Sequence, residues 1–182
     1  MKKLWRKSSL EHLDSSKTYY YENVRRSTFM VDLQRIASYL SRMNNTTTNR
    51  LILVRGASGS GKSTFARKLA AEIGGEVYET DEFFIVNGEY RFDPNKLGWA
   101  HKSNQRRARK ALEEGKQVIV PNTLTTLREI RDYTSIAVEL GIPVVVYRSE
   151  GKFQNTHGVP AEKVQAMRDR MVDFPGEIII NS

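Results

Sequence analysis

The 182-residue chain contains no cysteine. That excludes disulfides, thiolate metal sites and a cysteine nucleophile, and it makes a reducing compartment, the cytoplasm, the expected location. Proline is scarce, with five residues. No apolar run approaches the roughly 18 residues needed to span a bilayer, so no membrane association is expected. The start, Met1-Lys2-Lys3-Leu4-Trp5-Arg6-Lys7, is basic but has no apolar stretch behind it. It does not read as a secretory signal.

What is present is enough to build a core. Hydrophobic residues make up 39% and charged residues 27%, which excludes wholesale disorder. The net charge is +8 and is unevenly placed: residues 1–50 carry +6 and residues 51–182 carry +2. A basic arm of this kind can follow nucleic-acid phosphates or steer anionic partners. A solvated tail looks the same on charge alone.

The polar stretch Asn44-Asn45-Thr46-Thr47-Thr48-Asn49 reads as a linker,. It divides a basic helical extension, residues 1–49, from a main domain, residues 50–182. Within the extension, Phe29, Leu33, Ile36, Ala37, Leu40 and Met43 recur at helical spacing after a possible cap at Ser27,. One amphipathic helix cannot bury its own stripe, so helix 27–43 is expected to dock on the main domain or on a second copy.

From Leu51 short apolar runs alternate with helical patterns. Strands are expected at Leu51–Val54, Val77–Tyr78, Gln117–Val120, Val144–Tyr147 and Glu177–Ile180. Helices are expected at Lys62–Ile73, Lys96–Glu114, Thr125–Leu140 and Pro160–Met171, with an Asn-Gly hairpin over 85–90. Apolar strands joined by helices imply a mainly parallel sheet covered on both faces, an α/β three-layer sandwich. The strand at 177–180 is a second possible site of homo-oligomer contact.

Gly56-Ala57-Ser58-Gly59-Ser60-Gly61-Lys62-Ser63 fits G-x-x-x-x-G-K-[ST], directly after a strand and before a helix,. In such a loop, backbone N–H groups converge on phosphate oxygens, and the helix start adds partial positive charge. Lys62 is placed to reach the β- and γ-phosphates, and the Ser63 hydroxyl to meet Mg²⁺, with Thr64 next in the helix. The motif points to ATP or another nucleoside triphosphate and leaves the acceptor open. Asp81, just past the second strand, is the candidate base for an acceptor hydroxyl. Capping of the next segment together with Thr80 is its structural alternative. Glu82 could replace it or contact Mg²⁺ through water.

The runs Thr80-Asp81-Glu82-Phe83-Phe84, Gly88 to Pro94, Leu97 to Gln105, Ile119-Val120-Pro121-Asn122-Thr123 and Asn155 to Pro160 resemble the kinase-like P-loop ATPases grouped with phage polynucleotide kinase. The polynucleotide-kinase-like domain of Bcl-3-binding protein is among them. The resemblance spans roughly residues 51–175. It implies an ATP- and Mg²⁺-dependent kinase acting on the 5′-hydroxyl end of a nucleic acid. It also implies that Asp81 is the base, that His101 and Asn104 line the acceptor side, and that Asn122 and Thr123 sit at the loop edge. Read without the resemblance, His101 is a helix-surface histidine and Asn122 a turn cap. Three positions depart from the pattern: Pro121 stands for an aspartate, Gln154 for a lid arginine, and Phe84 for an arginine that grips an acceptor phosphate. Arg148, Lys152, Arg168 or Arg170 could supply the lid cation. A small-molecule kinase, for a nucleotide, nucleoside or sugar, is the alternative in the same chemistry. A nucleotide-binding switch or assembly module is the alternative outside it.

Overall fold

The computed structural model describes residues 49–154 and 158–181. The helix expected at 27–43 and most of the linker lie outside the described residues. Five strands form one parallel sheet in the order β2-β5-β1-β6-β7. They are β1 (Leu51–Arg55), β2 (Glu76–Val77), β5 (Val118–Val120), β6 (Val144–Ser149) and β7 (Ile178–Ile180). Two short strands, β3 (Ile85–Val86) and β4 (Glu89–Tyr90), make the separate hairpin. Its turn residues Asn87 and Gly88 have φ of 52° and 82°, the left-handed pair that a tight two-residue loop requires.

The helices are α1 (Lys62–Ile73), α2 (Leu97–Glu113), α3 (Leu127–Leu140) and α4 (Ala161–Asp169). β1 is buried along its whole length and divides two cores. Leu51 and Leu53 face α2 and α3, meeting Ala108, Leu112, Ile130 and Tyr133. Ile52 and Val54 face α1, meeting Phe65, Ala66 and Leu69. Alternation along one strand thus feeds both faces, as a covered parallel sheet demands. Among the described residues, no helix is long and apolar enough to cross a membrane.

Several boundaries move by a residue or two, each for a local reason. β1 extends to Arg55, whose side chain is 0% exposed. Its guanidinium donates to Glu177 (2.7 Å), to the Leu124 carbonyl (3.0 Å) and to the Val172 carbonyl (2.8 Å). β2 ends at Val77 because the Tyr78 carbonyl is taken by the Asn104 amide at 3.0 Å. α4 stops at Asp169, after which the chain is drawn in: Arg170 donates to the Thr125 hydroxyl, and the Val172 N–H to the Thr125 carbonyl.

All five strands point the same way, so their following loops gather at one edge. α1 leaves β1 on one face while α3 leaves the adjacent β5 on the other. A crevice opens between two such strands, and ligands bind there in α/β sheets.

Candidate active site

The loop 56–61 lies at the mouth of that crevice. Gly56 donates its N–H to the Thr123 carbonyl at 3.1 Å, tying the loop to the end of β5. A Cβ on Gly56 would stand 2.4 Å from the Ser149 carbonyl oxygen and 2.5 Å from Ser60 Oγ. Only glycine fits there. α1 then begins with Gly61 as its N-cap. It has no side-chain cap and no acid in its first turn. Its leading N–H groups are therefore left for an anion.

Lys62 Nζ donates to the Ala57 carbonyl at 2.8 Å, across the loop. Burial lowers its pKa to about 8, against the opposing pull of Asp81 and Glu79, while the charge of Arg168 lowers it further. The charges of Asp81 and Glu79, from the stretch 79–81, and of Arg168, from α4, thus bear on Lys62 at this edge. Thr64 is exposed.

Asp81 lies in a 3₁₀ turn, Thr80–Phe84, at the carboxyl end of β2. Polar side chains hold that turn. The Thr80 N–H donates to Asn122 Oδ1 at 3.2 Å, and the Thr80 hydroxyl lies 3.4 Å from His101 Nδ1. Asn122 and Asn104 both donate to the Tyr133 hydroxyl, at 3.2 and 3.0 Å. The network joins β2, α2, β5 and α3 beneath the crevice. Asn104 is fully buried, so it supports the turn from below. His101 is half-buried. Tyr90 donates to Asp81 at 3.4 Å, and burial together with that carboxylate pushes the phenol up to about 12. Glu82 is exposed and pairs with Arg107 of α2 at 2.8 Å.

Glu79 was not among the residues expected from sequence. It is buried, near the Ser63 hydroxyl and paired with Arg67 at 3.1 Å. Burial raises its pKa, with Arg67 and Ser63 opposing. A hydroxyl and a carboxylate side by side are hard oxygen donors that suit Mg²⁺. Among the described residues, no group of three or more His, Asp or Glu gathers to hold a metal by itself. The three departures also have places. Pro121 is buried directly after β5. Phe84 is buried against Tyr90 and Phe92 beneath the hairpin, a packing role. Gln154 is exposed.

A parallel sheet of this order with a phosphate loop after its central strand defines a P-loop, kinase-like α/β fold,. The chain belongs to the AAA domain family, whose model matches residues 51–152. It is similar to human NEDD4-binding protein 2, at 35% identity over 143 residues, covering 72% of this chain and 8% of the relative. It is also similar to uncharacterized protein PM0531 of Pasteurella multocida (strain Pm70), at 34% identity over 139 residues, covering 69% of this chain and 78% of the relative. A gluconokinase from Sinorhizobium meliloti 1021 shares the fold, with a TM-score of 0.52 at 13% identity, over 74% of this chain and 83% of its own. A chain of the Pnkp1/Rnl/Hen1 RNA repair complex gives 0.50 at 22% identity, over 74% and 43%. Both likenesses are of fold alone.

Proposed function

We propose that the chain is an ATP- and Mg²⁺-dependent phosphotransferase that passes the γ-phosphoryl group to a hydroxyl. The observation that carries this reading is that the phosphate loop after β1 and the Asp81 turn after β2, braced by Asn122, lie at the same carboxyl edge of one parallel sheet. In the proposed reaction the open start of α1 and Lys62 bind the triphosphate. Asp81 accepts the proton of the acceptor hydroxyl as its oxygen bonds to the γ-phosphorus, and the bond to the bridging oxygen breaks. Ser63 and Glu79 would hold Mg²⁺, which when bound neutralises charge on the β- and γ-oxygens.

The acceptor in this proposal is a small hydroxyl compound. It is supported by Phe84, a packed ring at the position where the resembled polynucleotide kinases carry a phosphate-gripping arginine, so that contact to an acceptor phosphate is missing. A second reading, the 5′-hydroxyl end of a nucleic acid, is favoured by α2, which brings Lys102 and Arg106 to a cleft beside the exposed Trp99, while its Arg107, Arg109 and Lys110 pair with glutamates,. The test offers γ-labelled ATP with sugars, nucleosides, mononucleotides and 5′-hydroxyl DNA and RNA. Label in a small acceptor supports the first reading, and label on oligonucleotides alone supports the second. Release of phosphate unchanged by any acceptor would reject both and leave a nucleotide-binding module.

A further inference from the structure

We infer that Tyr133, on α3, is a positioning residue of the site: its phenol oxygen braces two carboxamides that grip the backbone on either side of Glu79, and so sets where Glu79 and Asp81 stand. This rests on the proposed phosphotransferase reading. The Tyr133 ring has an ordinary role, buried in the core with Leu53, Leu112 and Ile130. A phenylalanine would fill that place as well. The hydroxyl is the part that packing leaves unexplained. Its oxygen accepts from Asn104 Nδ2 at 3.0 Å and from Asn122 Nδ2 at 3.2 Å, which uses both of its lone pairs.

Each carboxamide carries the grip to the main chain. Asn104 Nδ2 also donates to the Tyr78 carbonyl at 3.0 Å, and Asn122 Oδ1 accepts from the Thr80 N–H at 3.2 Å. These groups belong to the two peptide units that flank Glu79, and Asp81 follows directly after Thr80. The backbone also fixes which way each amide faces. Turned over, Asn104 would set an oxygen against the Tyr78 carbonyl, and Asn122 would set its NH₂ against the Thr80 N–H. Asn104 keeps its orientation although its Oδ1 has no partner among the described residues. A buried unpaired acceptor costs stability, so this network holds a shape rather than merely satisfying its members. Tyr133, Asn104, Asn122 and Thr80 are all buried, and they come from α3, α2, the end of β5 and the end of β2. Tyr133 neither gives nor takes a proton in this role. It acts through the two carboxamides, and a misplacement of about 1 Å at a reacting group can cost on the order of 10²-fold in rate.

The test compares the full chain with Tyr133→Phe and with Thr126→Ala, a change in the cap of the same helix. Two measurements are made on each. The first is amide hydrogen exchange at Thr80, read against Leu53 in β1, which reports any general loss of stability. Removing the phenol oxygen strands two buried N–H donors, so Thr80 in Tyr133→Phe should exchange roughly 10–100-fold faster relative to Leu53. Thr126→Ala should leave that ratio unchanged. The second is transfer from γ-labelled ATP at several Mg²⁺ concentrations. Tyr133→Phe should lower kcat by roughly 10–100-fold and raise the Mg²⁺ requirement, with ATP affinity at saturating Mg²⁺ kept. Thr126→Ala should match the parent in all three. An unchanged Thr80 ratio in Tyr133→Phe, or a fall in kcat matched by an equal fall in ATP affinity, would overturn the inference. Exchange needs no acceptor. A chain in which Thr80 loosens as expected, yet whose parent phosphorylates nothing, would refute the phosphotransferase reading and leave Tyr133 as the brace of this segment.

Discussion

Two helices, α1 and α3, start at the same edge of the sheet, one after β1 and the other after β5, and their first turns are built in opposite ways. α3 closes itself. Thr126 accepts from the Glu129 N–H at 3.3 Å, and Glu129 accepts from the Thr126 N–H at 2.9 Å, a reciprocal capping box,. α1 has no side-chain cap and no acid in its first turn, and it holds a lysine whose charge burial disfavours. One start satisfies its own donors and contributes stability. The other leaves its donors open and costs stability. Unsatisfied polar groups held in place by a rigid surround are what a binding site looks like before its ligand arrives.

The contrast can be broken most severely at Lys62. Lys62→Met should abolish phosphoryl transfer and strongly weaken ATP binding, since the charge over the phosphates is gone. The same variant should melt at a higher temperature than the parent at pH 7. The sign follows from the lowered pKa. The folded lysine titrates at about 8 and the unfolded one at 10.5. Between those values the unfolded chain holds more protons, so parent stability rises with pH. The gap between the two melting curves should be widest below pH 8 and close toward pH 10.5. A Lys62→Met protein less stable than the parent at pH 7 would contradict the cost assigned to the open helix start.

Glu79→Gln comes next. It keeps the shape beside Ser63 and removes the carboxylate. Loss of an oxygen partner at a metal site typically costs about 10–100-fold in metal affinity. ATP binding should then need about that much more Mg²⁺, read from nucleotide titrations at several Mg²⁺ concentrations. An unshifted Mg²⁺ requirement would return Glu79 to a purely structural pairing with Arg67. The smallest effect belongs to the closed helix. Thr126→Ala should cost about 1 kcal/mol, a drop of roughly 2–4 °C in melting temperature for a chain of this size. ATP affinity should not move, and a loss of affinity there would dissolve the distinction between the two starts.

The parts legible in the sequence were the local ones. The phosphate loop is eight consecutive residues whose glycines, lysine and serine each have one job, so spacing alone reveals it. The alternation of apolar runs with helical patterns gave the order of strands and helices, and Asn87-Gly88 gave the hairpin. Glu79, Tyr133 and Arg55 were not legible, because their roles depend on partners far along the chain. Glu79 meets Arg67 and Ser63 only once α1 packs on β2. Tyr133 reads as one more apolar position on α3, yet its hydroxyl is where Asn104 and Asn122 converge. Arg55 looks like the end of a strand, and its burial is tolerated only because Glu177, from the far end of the domain, arrives to pair with it,. The pairing of Glu82 with Arg107 was hidden for the same reason.

The most direct test of the phosphotransferase reading is single-turnover transfer from bound γ-labelled ATP to a working acceptor, in the parent and in Asp81→Asn. The substitution keeps the shape of the turn and removes the proton acceptor. A positioned base is worth on the order of 10²–10⁴-fold. The account predicts a loss of that size in the transfer rate, with ATP affinity unchanged. Transfer at the parent rate, or an equal loss of ATP binding, would contradict it.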